Sequence, residues 1–313
     1  MPDIKPDINL ELKNAYNYGN QFTRYGECAS YIPELALKDP THLGAAIYTL
    51  DGEEYAVGVC NERFSLQSIS KLVNLILAIE QNGQDYVFTK VGYEPTGDSF
   101  NSLVRLDKLT KNKPYNPLIN AGAIAVTSCL RGVNLEERKK IALNFTRKLF
   151  GSERLKINEN VYASEKATTY KNRAIINLMK SNGIIESDNL EDILDLYISL
   201  CAIEVNCKEL AVFAAMLANN GQSVKTGEQL VPLHIVKLIR SLMVTCGMYD
   251  YSGEYASKVG IPSKSGVGGG IMAAAIGKMG IAAYGPSLDR TGNSMGGLKV
   301  MGYLSEHLDL NMF

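Results

Sequence analysis

No C-x-x-C pair, no phosphate-cradling glycine loop and no very long apolar run occurs in this 313-residue chain. Each absence removes a class. Without G-x-x-x-x-G-K-[ST] or G-x-G-x-x-G, nothing supports a nucleotide-phosphate cradle. Without about 20 consecutive apolar residues, no segment reads as a membrane-spanning helix. The start, MPDIKPDINLELKNAYNYGN, has no apolar core of signal-peptide length, so a cytoplasmic protein is expected. A net charge of −1 gives no basic surface for nucleic acid or an anionic membrane. Three histidines, His42, His234 and His307, stand too far apart to suggest a metal site. Six cysteines without paired spacing read as buried thiols rather than a disulfide frame. No repeat and no Pro/Gly/Ser-rich linker divides the chain.

What is present is ordinary globular composition, 46% hydrophobic and 21% charged, with strand signals at both ends and helical signals between. GAAIYTLDGEEYAVGVC (44–60) holds two apolar runs around Asp51-Gly52, a hairpin signature. Helix-length patterns occupy 68–82, 135–149, 163–180, 189–202, 206–219 and 231–246, with Asp188-x-x-Glu191 as a capping box. YASKVG (255–260), GGIMAAAIG (269–277) and MGIAAYG (279–285) read as strands, followed by a last helix near 294–309. The expectation is an α+β unit. A sheet lobe (1–67 plus 248–313) would bring the ends together around an inserted helical lobe (68–247), with a small-molecule cleft between them.

The chemistry-bearing stretch is RFSLQSISKLVNLILAIEQNG (63–83). Ser68 and Lys71 stand at i and i+3, so a helix starting near Ser68 places them on one face. The apolar residues surround that helix instead of forming a stripe, so burial is expected. A buried ammonium loses stability and its pKa falls. The neutral amine can then take the hydroxyl proton and make Ser68 a nucleophile. The amides of the first helical turn would favour the oxyanion. The competing structural reading is a surface lysine with Ser68 as N-cap. Of all the lysines, Lys71 alone has a serine three residues before it.

Ser-x-x-Lys is shared with penicillin-recognising enzymes, whose further signatures are S-D-N and K-T-G. Ser187-Asp188-Asn189 and Lys225-Thr226-Gly227 match as strings. The first lies at a helix start and the second in a polar connector, whereas K-T-G must occupy a strand lining the pocket. Lys264-Ser265-Gly266, which opens a strand-like run, is the better candidate. Its glycines, 266 and 268–270, permit close backbone approach, although an edge-strand lysine that discourages aggregation is the competing reading for Lys264.

Taken together, Ser30-Tyr31-Ile32-Pro33, FSLQSISK (64–71), YNPLINAGAIAVTS (115–128), Ser164-Glu165 with Asn172, LDLYISLCAIEV (194–205), LANNG (217–221), CGMYDYSGEYA (246–256) and KSGVGGG (264–270) occur in an order that resembles the serine-dependent glutaminases. That resemblance implies the β-lactamase/DD-peptidase-like fold. It also implies hydrolysis of L-glutamine to L-glutamate and ammonia through a glutamyl-serine ester, with no metal and no organic cofactor, in a homodimer or homotetramer. By the same resemblance, Tyr249 or Tyr31 relays a proton to the leaving nitrogen, with Tyr249 favoured. The amides of Ser68 and Val267 form the oxyanion hole. Glu165 pairs with the substrate ammonium, and Asn120, Asn172 and Tyr197 bond the groups around it.

Each of those four also has a plainer reading: Glu165 as a first-turn helix residue, the asparagines as caps or turn formers, Tyr197 as core. SEKATTYKNR (164–173) departs from common family wording around Glu165 but keeps the Glu165–Asn172 separation. By the same resemblance, the expected form is one of bacterial scale without added regulatory domains. Two rivals remain at this stage: a β-lactam hydrolase or peptidase of the same fold, and a non-catalytic amino-acid sensor.

Overall fold

The computed structural model describes residues 6–96 and 113–313; the first five residues of the amino-terminal stretch lie outside it. A five-stranded sheet runs in the order Glu54–Gly58, Gly44–Thr49, Met279–Tyr284, Gly270–Ala275, Ser263–Ser265. Every neighbouring pair is antiparallel. The two ends of the chain meet in the middle of the sheet, where Gly44 pairs with Tyr284 and Thr49 with Met279.

Alternation of side chains across a strand sorts the sheet into two cores. Ile47, Ile271, Ala273, Ile281 and Ala283 face the terminal helices Ile8–Asn20 and Met295–His307 through Leu12, Val300, Met301 and Leu304. Ala46, Met272, Ala274 and Ala282 face the helix Cys207–Ala218 through Leu210, Ala211 and Ala214. Covered on both faces, Gly270–Ala275 and Met279–Tyr284 are buried throughout. They therefore read as continuous apolar runs. The outermost strand, Glu54–Gly58, alternates exposed and half-buried.

The contact with Cys207–Ala218 is close enough to require glycine. A Cβ on Gly280 would stand 2.1 Å from Ala215 N and 2.2 Å from Ala211 O. Neither backbone can yield without separating helix from sheet. Gly280→Ala is expected to destabilise the fold by about 3 kcal/mol or more, at the upper end of overpacking costs. A urea melt checks this; an unchanged midpoint would contradict it.

Three sequence expectations change. The stretch 255–260, read as a strand, belongs mostly to a helix, Ser252–Lys258. Tyr255 turns into the core while Glu254 and Lys258 pair at i, i+4 outside, 2.6 Å apart. The helix expected over 163–180 is two, Glu159–Thr168 and Tyr170–Ser181, broken at Thr169 where ψ is +32°. The cap before Leu190–Cys201 is Asn189, whose side chain accepts from Asp192 N, rather than a box on Asp188. The cysteines are all free. Cys60, Cys129, Cys201 and Cys207 are buried, while Cys28 and Cys246 are partly exposed. Among the described residues no helix is long and apolar enough to cross a membrane.

Candidate active site

A second, three-stranded sheet (Phe64–Ser65, Ile203–Val205, Lys156–Ile157) fixes the approach to Ser68. Leu66 N continues that pairing by donating to Ile203 O at 2.8 Å. The chain then tightens into a 3₁₀ turn, Gln67–Ile69, and runs directly into the helix Ser70–Asn82. Ser68 thus sits just ahead of the regular helix, and Lys71 lies in the first α-helical turn. Gln67 has φ +47°, a left-handed conformation that a non-glycine residue adopts at a cost of about 1–3 kcal/mol. Its side chain recovers part of that cost by donating to Glu165 Oε2 at 3.2 Å.

Lys71 is buried, 1% exposed. Its Nζ donates to Leu118 O at 3.1 Å and Asn120 Oδ1 at 2.7 Å, both neutral acceptors. Burial brings its pKa down to about 8, against a smaller upward pull from Cys201 and Glu165. Glu165 is buried as well, and burial pushes it up to about 7, opposed by the Gln67 hydrogen bond and the Lys71 charge.

The strand Ser263–Ser265 delivers the opposite wall. A Cβ on Gly266 would fall 2.6 Å from Leu66 O and 3.4 Å from Ser68 N, and one on Gly268 would fall 2.5 Å from Ser65 O. Only glycine lets this segment lie against the turn that carries Ser68, and that approach brings Val267 and Ser68 to the same cavity. Lys264, for which an exposed edge lysine is the competing reading, is fully buried. Its Nζ donates to Gly247 O at 3.0 Å and Ser265 O at 2.6 Å and lies 4.5 Å from the Tyr249 ring centroid. Burial, with Lys71 adding repulsion, holds its pKa well below the usual lysine range.

Tyr249 is buried with φ +55°, a second strained residue beside Ser68. Burial raises its pKa, opposed by interactions of its hydroxyl with Ser68, the Val267 backbone and Ser265. Tyr31 stands differently: it lines the cavity that holds Ser68, whose lining does not include Tyr249, and it is 54% exposed, at the rim.

The cavity holds about 350 Å³ and is lined by Tyr31, Ser68, Asn120, Glu165, Asn172, Tyr197 and Val267 among others. Its polar wall is a chain of hydrogen bonds. Asn120 Nδ2 donates to Asn172 Oδ1 (3.1 Å), Asn172 Nδ2 to Thr169 Oγ1 (3.0 Å), and the Tyr197 hydroxyl to Asn120 Oδ1 (3.4 Å). So one chamber gathers Ser68 and the four residues expected to recognise substrate, one of which, Asn120, is also Lys71's partner. Ser187–Asn189 and Lys225–Gly227 are absent from its lining. Among the described residues no group of three or more His, Cys, Asp or Glu could hold a metal ion.

Sequence reasoning missed Gln67 and Cys201. Gln67 directly precedes Ser68, and no sequence pattern signals its left-handed turn. Cys201 follows Tyr197 by four residues, so helical periodicity alone puts both on one face. Burial raises its thiol to about 12, leaving an unreactive wall group.

Residues 26–313 match the glutaminase family profile. A glutaminase of Clostridium perfringens is 51% identical over 302 residues, 96% of this chain and 99% of the relative. A glutaminase of Clostridium tetani is also 51% identical, covering 94% and 95%. Among solved structures, a probable glutaminase superposes with a TM-score of 0.92 at 39% identity, over 98% and 99% of the two chains. A probable glutaminase from Bacillus subtilis, complexed with 6-diazo-5-oxo-L-norleucine, gives 0.90 at 34%, over 100% and 99%. A further Bacillus subtilis glutaminase structure, a covalent complex with 5-oxo-L-norleucine, gives 0.88 at 33%, over 98% and 100%. The antiparallel sheet with its helical partner is accordingly the β-lactamase-like fold of those enzymes. Matched along nearly its whole length in sequence and in backbone, the chain belongs to the glutaminase family.

Proposed function

We propose that the chain hydrolyses L-glutamine to L-glutamate and ammonia with Ser68 as nucleophile and Lys71 as its base. The observation that carries this is the burial of Lys71 one turn from Ser68, against neutral oxygens, with its pKa brought to about 8. A neutral fraction of the amine is then available to accept the Ser68 proton as Oγ bonds the side-chain carboxamide carbon. The amides of Ser68 and Val267 receive the negative charge that develops on the carbonyl oxygen. Collapse breaks the C–N bond. Tyr249, whose hydroxyl interacts with Ser68, passes the proton to the departing nitrogen. Tyr31, at the rim, suits closure over bound substrate better than proton relay. Water then attacks the glutamyl ester, Lys71 again taking and returning a proton, and glutamate leaves. Ser265 and Lys264 support Tyr249 from the strand side, and Gly266 permits the approach.

The substrate's α-ammonium would meet Glu165, with Asn120, Asn172 and Tyr197 around the α-carboxylate and amine. Reaction with 6-diazo-5-oxo-L-norleucine tests the reading. One equivalent of adduct, mapped by peptide mass to Ser68, is expected; label on another residue would overturn it.

Glu165→Gln should raise KM about 10–100-fold, the worth of one charge-assisted hydrogen bond to a buried ion. The fall in kcat should be smaller. In the native enzyme the carboxylate ionises through about pH 7, so KM should fall as pH rises across that value. The variant should lose that dependence. A pH series of initial rates measures both.

The chain is further proposed to act in the cytoplasm as a homodimer or homotetramer, one catalytic unit with the cavity between its sheet lobe (1–67 plus 248–313) and its helical lobe (68–247). Free thiols and family membership support this. Light scattering after size exclusion gives the copy number.

A further inference from the structure

Outside the cavity, one carboxylate gathers an unusual number of donors. Asp195, 9% exposed at its side chain, accepts from the Tyr162 hydroxyl at 2.6 Å, from Lys139 Nζ at 2.6 Å and from Lys166 Nζ. The Lys139 and Lys166 ammoniums also lie 5.0 and 5.4 Å from the Tyr162 ring centroid. Three helices therefore meet at one side chain: Leu135–Phe150, Glu159–Thr168 and Leu190–Cys201.

Two of these helices carry substrate-facing residues. Glu165 directly precedes Lys166, and a rotation of about 100° per residue turns Lys166 outward while Glu165 faces the cavity. Tyr197 lies two residues after Asp195, again on a different face. The other ties of the helix Glu159–Thr168 are few: its cap Asn158 donates to Glu204 Oε1 at 2.7 Å, Gln67 donates to Glu165, and Tyr162 packs partly buried against the neighbouring apolar cluster. Val161 is its only buried apolar residue, and Glu165 itself is the other buried one. Apolar packing, the usual anchor of a short helix, is nearly missing here. Its carboxyl end is tied by Arg173 Nη2 donating to Lys166 O at 3.2 Å.

We infer that Asp195 is a positioning residue for glutamine recognition: by clamping Lys166 and Tyr162 to the Tyr197 helix, it sets where the Glu165 carboxylate stands in the cavity. This rests on the reading of Glu165 as the partner of the substrate ammonium. Asp195 touches no substrate and acts through Glu165.

The test compares glutamine with glutaramate, the same molecule lacking the α-amino group, in steady-state ammonia release. Asp195→Asn keeps an acceptor for Tyr162 but loses the charge that holds the two lysines. It is expected to raise KM for glutamine about tenfold, the cost of misplacing one charge-assisted contact, and to change kcat less than about threefold. Its kcat/KM for glutaramate should barely move. In a Glu165→Gln background the same substitution should add little, because coupled residues are not additive.

Lys166→Met, at a side chain 45% exposed, should give a smaller shift in the same direction and serves if Asp195→Asn does not fold. Equal losses on both substrates, or full additivity with Glu165→Gln, would overturn the proposal and leave Asp195 a structural residue. If Glu165→Gln itself leaves the preference for glutamine over glutaramate intact, the reading of Glu165 fails instead.

Discussion

Ser68→Ala is expected to abolish ammonia release, by about 10⁴-fold or more, while glutamine binding stays within a few-fold of native. In the proposed mechanism the hydroxyl is the one group of this side chain that forms the acyl bond, and its removal leaves the proposed α-amino-acid end of the cavity untouched. Asn120, Glu165, Asn172 and Tyr197 belong to four other helices and are held by their own hydrogen bonds. Ser70 cannot take over. Its Oγ donates to Gln67 O at 2.7 Å and faces Cys201 Sγ at 3.7 Å, and two residues along a helix point nearly opposite ways. Ser70→Ala is the matched control, with most of its turnover kept. Calorimetric binding beside an ammonia assay separates the two losses. Native turnover in Ser68→Ala would mean that another nucleophile does the work.

The Ser68–Lys71 pair was legible because both residues sit in one continuous stretch, where helical spacing and surrounding apolar residues speak directly. The proposed recognition wall was not. Asn120, Glu165, Asn172 and Tyr197 come from four helices, and nothing local joins them; family resemblance alone assigned them together. Lys264 shows a second limit. It stands on an edge strand of the sheet, where sequence rules favour an exposed cation. The turn at Gly247–Tyr249 covers that edge instead, and Gly247 O accepts from the Lys264 ammonium.

Element errors have the same origin. The break at Thr169 has neither glycine nor proline to announce it. What it accomplishes is tertiary: it turns Thr169 Oγ1 toward Asn172 inside the cavity wall. The run at 255–260 was too short for periodicity to choose between strand and helix. The sheet fared better. Its central strands are buried on both faces, and that burial is written as uninterrupted apolar runs bounded by glycine.

Replacing Lys71 tests the other half of the chemistry. Lys71→Met should lower kcat/KM by about 10³–10⁴-fold, the upper range for loss of a general base. Lys71→Arg should fare no better. It restores the positive charge but cannot give up its proton at any working pH, so an equal loss separates proton acceptance from simple electrostatic attraction. Near-native turnover in Lys71→Arg would assign Lys71 an electrostatic role.

The native pH profile follows from the same group. With a pKa of about 8, roughly a tenth of the amine is neutral at pH 7, so kcat/KM should climb through about pH 8.

Stability answers to the same proton. The unfolded lysine keeps its proton up to its ordinary value near 10.5, while the folded one releases it near 8. The unfolded chain therefore binds more protons across that window, and stability rises with pH through it. Below about pH 8 the folded protein bears the full cost of a buried ammonium, about 3 kcal/mol for a shift of this size. Methionine removes that cost but takes the lysine donor from Leu118 O and leaves Asn120 Oδ1 with the longer bond from the Tyr197 hydroxyl, an offset of about 1–3 kcal/mol. Lys71→Met should thus hold or gain thermal stability at pH 7 while its turnover collapses. A calorimetric melt that fell with activity would mean that Lys71 serves the fold and not the reaction.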